Sequence, residues 1–138
     1  MEPGPELDAR VAIEIMEFTS ADAYKPSQDG PLRFIEGVWR SWSPSTSISD
    51  AMEVVGKMRA WGRLPDRPDC PVDLDFILTL TDISAYCEIR ENSFMGYAGT
   101  SYKFEAVTAE TWLTPETTSK AVAYAICLAA LKAVGKEA

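Results

Sequence analysis

The residues best suited to chemistry in this chain are aromatic and basic. Trp39, Arg40 and Trp42 occupy one four-residue stretch. Two indoles flanking a guanidinium can stack on a base and pair with a phosphate. They can equally be core plugs folded in from a loop, and buried area favours that use of tryptophan. A second group, Tyr97, Tyr102 and Lys103, surrounds the glycine-containing segment Gly96-Tyr97-Ala98-Gly99, whose backbone amides could hold an anion. Its spacing matches no phosphate-loop motif, and an ordinary hairpin loop accounts for it as well. Asp73 and Asp75 lie two apart, on one face if the chain is extended. Such a pair suits a hard cation or acid/base work, or simply keeps a strand solvated. Arg59, Arg63 and Arg67 recur every four residues near Lys57, and read as solvated cations at a helix C-terminus.

Other chemistry is ruled out by composition. There is no histidine among the 138 residues, which removes the commonest general base near neutral pH and Ser-His-Asp or Cys-His catalysis in their usual forms. Cys70, Cys87 and Cys127 are odd in number and far apart, with no Cys-x-x-Cys pair. Neither a disulfide framework nor a metal site is expected, and no cofactor is implied. A net charge of −8 repels phosphate backbones, so direct nucleic-acid binding is not expected. No apolar run approaches the ~20 residues of a membrane span. The acidic start, Glu2-Pro3-Gly4-Pro5-Glu6, lacks the order of a signal peptide, so a cytoplasmic protein is expected.

These residues must be positioned by a fold. With 46% hydrophobic and 25% charged residues, one globular domain is the natural reading. Residues 1–5 are expected to fray. Leu7, Val11, Ile15 and Phe18 form a helical stripe, predicting a helix over about 5–18. Residues 19–44, with Pro26, Gly30, Pro31, Gly37 and Pro44, read as a long loop. Its part from Leu32 to Trp42 carries enough aromatic residues to fold back on the body. Ser47 can cap a second helix, with Ile48, Met52, Val55 and Met58 as its stripe and Gly62 as its stop. Three strands follow. Val72 to Leu80 alternates strongly, Ser84–Glu91 alternates through Ala85, Cys87 and Ile89, and Tyr102–Glu110 forms the third. Thr81-Asp82-Ile83-Ser84 is the expected tight turn, and residues 92–101 a longer hairpin loop. The last helix starts at Thr114-Pro115-Glu116 and runs to Val134, before Gly135. The expected fold is therefore α+β: a three-stranded antiparallel sheet layered with helices in the order helix, helix, three strands, helix. Ile77, Tyr86 and Val107 on an uncovered sheet face mark a dimer interface or a ligand floor, and with the alanine-rich back of the last helix a homo-oligomer is expected.

Two segments, Ser45-Thr46-Ser47-Ile48-Ser49-Asp50-Ala51-Met52-Glu53-Val54-Val55-Gly56-Lys57-Met58 and Ala125-Ile126-Cys127-Leu128-Ala129-Ala130-Leu131-Lys132-Ala133-Val134, resemble signature stretches of the phage ABA sandwich domain family. Leu7-Asp8-Ala9-Arg10-Val11-Ala12 resembles that family's opening helix. The chain departs from the pattern before the last helix's apolar core, where Lys120, Ala121 and Ala123 stand in place of an Asp-Thr pair and a proline. The resemblance implies an α-β-α layered fold and a phage or prophage origin, and supplies no catalytic motif. In that context the expected function is that of a non-enzymatic accessory protein acting by binding in the host cytoplasm. Its ligand would be a small anionic nucleotide signal of host immunity, held by Trp39, Arg40, Trp42, Tyr97, Tyr102 and Lys103. Two alternatives remain: an acidic inhibitor of a host defence or nucleic-acid-binding protein, and a small enzyme using carboxylates or lysine on nucleotides.

Overall fold

In a computed structural model, residues 2–60, 72–81, 84–93, 98–107 and 114–135 are described. The element order is α1 (Pro5–Glu14), a 3-10 turn (Ser20–Asp22), β1 (Tyr24–Lys25), β2 (Leu32–Ile35), β3 (Val38–Ser41), α2 (Ile48–Ala60), β4 (Val72–Leu80), β5 (Ser84–Ser93), β6 (Ala98–Val107) and α3 (Pro115–Ala133). It is an α+β fold with two separate three-stranded antiparallel sheets, β1-β2-β3 and β4-β5-β6.

The helix α3 is the centre of the core. Thr114 caps it in a reciprocal box with Thr117, and Pro115 follows at the first helical position. From Ala121 to Ala133 only Tyr124 and Lys132 escape burial. The helix lies on β5 and β6, and α2 and α1 cover its other side. Its six buried alanines let both layers approach closely. The alanine-rich back, expected as a subunit contact, is thus filled from within the chain.

The larger sheet follows the alternating pattern. Leu74, Ala85, Cys87 and Ile89 are buried on the α3 side, while Asp75, Thr79 and Tyr86 are exposed. At its tight turn Thr81 N–H donates to the Ser84 carbonyl at 2.9 Å, and Ser84 N–H to Thr81 Oγ1 at 3.0 Å. The strand β6 begins at Ala98, four residues before its expected start, because an irregularity between Arg90 and Asn92 restores pairing at Asn92↔Ala98.

Three expectations are corrected. First, α1 ends at Glu14 rather than near residue 18. Glu17 takes a left-handed φ of 55°, and Phe18 reaches the core after this turn, not along the helical stripe. Second, α2 is rotated from its expected stripe. It buries Ala51, Val54, Val55 and Met58, and leaves Ile48 and Met52 exposed. Ser47 does cap it: the Asp50 N–H points to Ser47 Oγ at 3.4 Å. Third, residues 19–44 are not a loop but carry the smaller sheet. Its β2–β3 turn is the pair Glu36-Gly37, at φ 52° and 81°. Positive φ at both positions is what a two-residue hairpin turn requires, and Gly37 takes it without strain. The chain start is also pinned, since Gly4 N–H donates to Ser45 Oγ at 2.9 Å and Pro5 lies against Gly30.

Candidate binding surface on the small sheet

The small sheet separates the residues that the sequence places together. Residues three apart in an extended chain face opposite ways, because side chains alternate with period two. Trp39 and Trp42 accordingly go to different sides. Trp42 is 2% exposed. Its ring meets Phe18 edge-on at 5.1 Å, and its indole N–H donates to Glu53 Oε2 at 3.2 Å. Arg33 Nη1 donates to the same carboxylate oxygen at 2.7 Å, and its guanidinium lies 4.7 Å from the Phe18 ring centre. Glu53, on α2, thereby ties β2 and the end of β3 to the body. Trp42 is a core plug, not a ligand residue.

Trp39 is the reverse case, 41% exposed on the sheet's outer face. Opposite it on β2 is Phe34, with ring centres 5.2 Å apart. The Lys25 ammonium, from β1, sits 4.3 Å from the indole centre. Cross-strand pairing explains the grouping: Phe34 faces Trp39, and Lys25 pairs with Leu32, two residues before Phe34. Ile35 and Val38, flanking the turn, are also exposed. Arg40 is exposed but pairs with Arg33 and so belongs to the row next to Trp39, not to its row. The surface that results is an aromatic shelf with one ammonium held over it and an apolar tip.

Of the second predicted group, Tyr97 lies outside the described residues. Tyr102 and Lys103, expected at the start of the third strand, are in the middle of β6 because it begins at Ala98, and lie in register with buried Ile89 and with Glu88. Asp73 and Asp75 lie in register with Asn92 and Arg90 on β4. Among the described residues, no group of three or more His, Cys, Asp or Glu is placed to hold a metal. Arg63 and Arg67 lie outside them.

No family model, curated protein or solved structure matches the chain.

The buried titratable groups have structural surroundings. Asp8 accepts the Ser45 N–H at 2.8 Å, and Asp50 accepts the Ser43 N–H at 2.9 Å, so two carboxylates clamp the turn before α2. Burial pushes the Asp8 carboxyl above its usual range, opposed by its hydrogen bonds to Ser45. Burial, helped by Glu88, pushes the Cys87 thiol up to about 12, and burial also pushes Cys127 well up. Neither thiol is a nucleophile near neutral pH. A cavity of about 430 Å³ between α2 and β4 is lined mainly by Met52, Val55, Leu74, Phe76, Leu78 and Ile126. No helix among the described residues is long and apolar enough to cross a membrane.

Sequence reasoning located Trp39 and missed Phe34, Lys25 and Glu53. The signal was the pair Glu36-Gly37. Counting outward from it as a two-residue turn gives Phe34↔Trp39 and Arg33↔Arg40 at once.

Proposed function

We propose that this chain is a non-enzymatic binding protein, a phage accessory protein of the ABA sandwich kind acting in the host cytoplasm. Its working surface is the outer face of the small sheet. The observation that carries this reading is the exposed Trp39, held beside Phe34 with Lys25 over its ring. Exposed indole is costly to leave in water, and large aromatic residues with a cation are what binding hot spots are made of. The first ligand class is a small anionic nucleotide of host immune signalling. A base stacks against the aromatic shelf, and the Lys25 ammonium meets a phosphate. Thermal shift with a panel of cyclic nucleotides tests this. A ligand at a hundred times its Kd adds about 2.7 kcal/mol of stability to the wild type and none to Trp39→Ala. A wild type unmoved by every member sinks the nucleotide reading.

A second reading, a host protein docked around the hairpin tip, is favoured by the exposed Ile35 and Val38, which flank the turn on the face opposite Trp39. An open apolar shelf with a charged rim is more usual for a protein contact than for a ligand pocket. It predicts that wild type, but not Trp39→Ala, retains one partner from host lysate as salt is raised.

A further inference from the structure

The strand β4 is the edge of the larger sheet, and among the described residues no strand pairs with its outer side. It is nine residues long and holds neither lysine nor proline. Its charges, Asp73 and Asp75, fall in the first half, so Phe76 to Leu80 is an apolar edge of the kind that recruits another strand. The other edge strands differ: β6 carries Lys103, β1 is two residues long, and β3 is four residues long and carries Arg40. The end of β4 is also bare on the helix side, with Leu78 43% and Leu80 53% exposed. The helix α2 meets the strand across the cavity, with Met52, Val55 and Arg59 on the helix wall and Leu74 to Leu78 on the strand wall.

We propose that β4 pairs antiparallel with β4 of a second copy, about a two-fold axis at Ile77, to make one six-stranded sheet. This register matches the two ends of the strand. It puts Phe76 opposite the partner's Leu78 and Leu74 opposite the partner's Leu80, so the exposed leucines meet the apolar row that α2 covers in the other copy. On the other face it sets Asp75 opposite the partner's Thr79, and no aspartate faces an aspartate. Shifting the axis to Asp75 would place Asp75 against the partner's Asp75, and like charges directly opposite are destabilising. A two-fold pairing is self-complementary by construction, so each copy's bare end lies against the other's covered end. It needs no further partner.

The test combines mass and cross-linking in a Cys70→Ser background, where the remaining thiols, Cys87 and Cys127, are buried. Sedimentation of the wild type is expected to give twice the 15.2 kDa chain mass. Leu78→Lys with Leu80→Lys, at positions already exposed, is expected to halve the mass with an unchanged far-UV spectrum. Ile77→Cys is expected to form an intermolecular disulfide under mild oxidant, since directly opposed residues lie within disulfide reach. Thr79→Cys, opposite Asp75, is expected to form none. A monomeric wild type overturns the proposal. So does a dimer that survives the double lysine change, which would place the contact on the hairpin or the outer sheet face. A dimer whose Ile77→Cys form does not cross-link overturns the register.

Discussion

The two three-stranded sheets of this protein are built on opposite terms. The larger one has strands of nine and ten residues, and α3 covers β5 and β6 on one of its faces. Its stability comes from a row of buried side chains. The smaller one has strands of two to four residues, and every residue of β3 is exposed. It is held by a few points: Trp42 and Tyr24 against Phe18, and the Arg33 and Trp42 hydrogen bonds to Glu53. A sheet held at few points can leave its outer face free of packing duties. That is the face on which Trp39, Phe34 and Lys25 stand.

The hardest way to break the contrast is Trp42→Ala. Removing a buried aromatic costs about 3–5 kcal/mol. The loss should fall first on the small sheet, so β2 and β3 amides should exchange with solvent while β5 amides stay protected. Uniform loss of protection in both sheets would erase the distinction.

A smaller effect is expected from Glu53→Ala, which strips the shared acceptor from Arg33 and the Trp42 indole. Leaving a buried donor unpaired costs about 1–3 kcal/mol. Chemical denaturation measures the total, and exchange should again be raised more in β2–β3 than in β5.

The difference between the sheets also explains what was legible from sequence. Val72–Leu80 announces itself because apolar and polar residues alternate along it, broken only at Ile77. The helix α3 announces itself through Thr114-Pro115 and its unbroken apolar run. The small sheet has no such signature. Its strands are shorter than one period of reliable alternation, and β3 buries nothing. Prolines 26, 31 and 44 then read as loop residues. The Trp39–Arg40–Trp42 cluster is a unit along the chain and not in space. In extended backbone the odd separation of the two tryptophans sends one inward and one outward. The rotation of α2 was hidden for a related reason: Ile48 and Met52 are apolar by type yet exposed in the folded chain, and periodicity cannot separate a core stripe from a contact stripe.

Asp8 bears on the body alone, and its effect is graded by pH. Its folded-state pKa is raised above the ordinary 3.8 by burial. The folded chain therefore holds this proton more tightly than the unfolded chain. Stability from Asp8 is greatest below the ordinary value and falls as pH rises from there through the raised folded-state pKa. Asp8→Asn keeps an oxygen to accept the Ser45 N–H and cannot ionise. Urea midpoints of wild type and Asp8→Asn, compared from acid toward neutral pH, should show the wild type losing ground to the variant as pH rises. A gap constant with pH would contradict this.

The smallest expected change in stability belongs to the residue with the largest expected role in binding. Trp39→Ala removes an exposed side chain, so the unliganded variant should stay within about 0.5 kcal/mol of wild type. Thermal melts of the two proteins, with and without each cyclic nucleotide of the panel, test the central claim most directly. The account predicts matching melts without ligand and a ligand-induced rise in the wild type alone. A rise that persists in Trp39→Ala, or a variant that unfolds, would contradict a binding surface on the outer face of the small sheet.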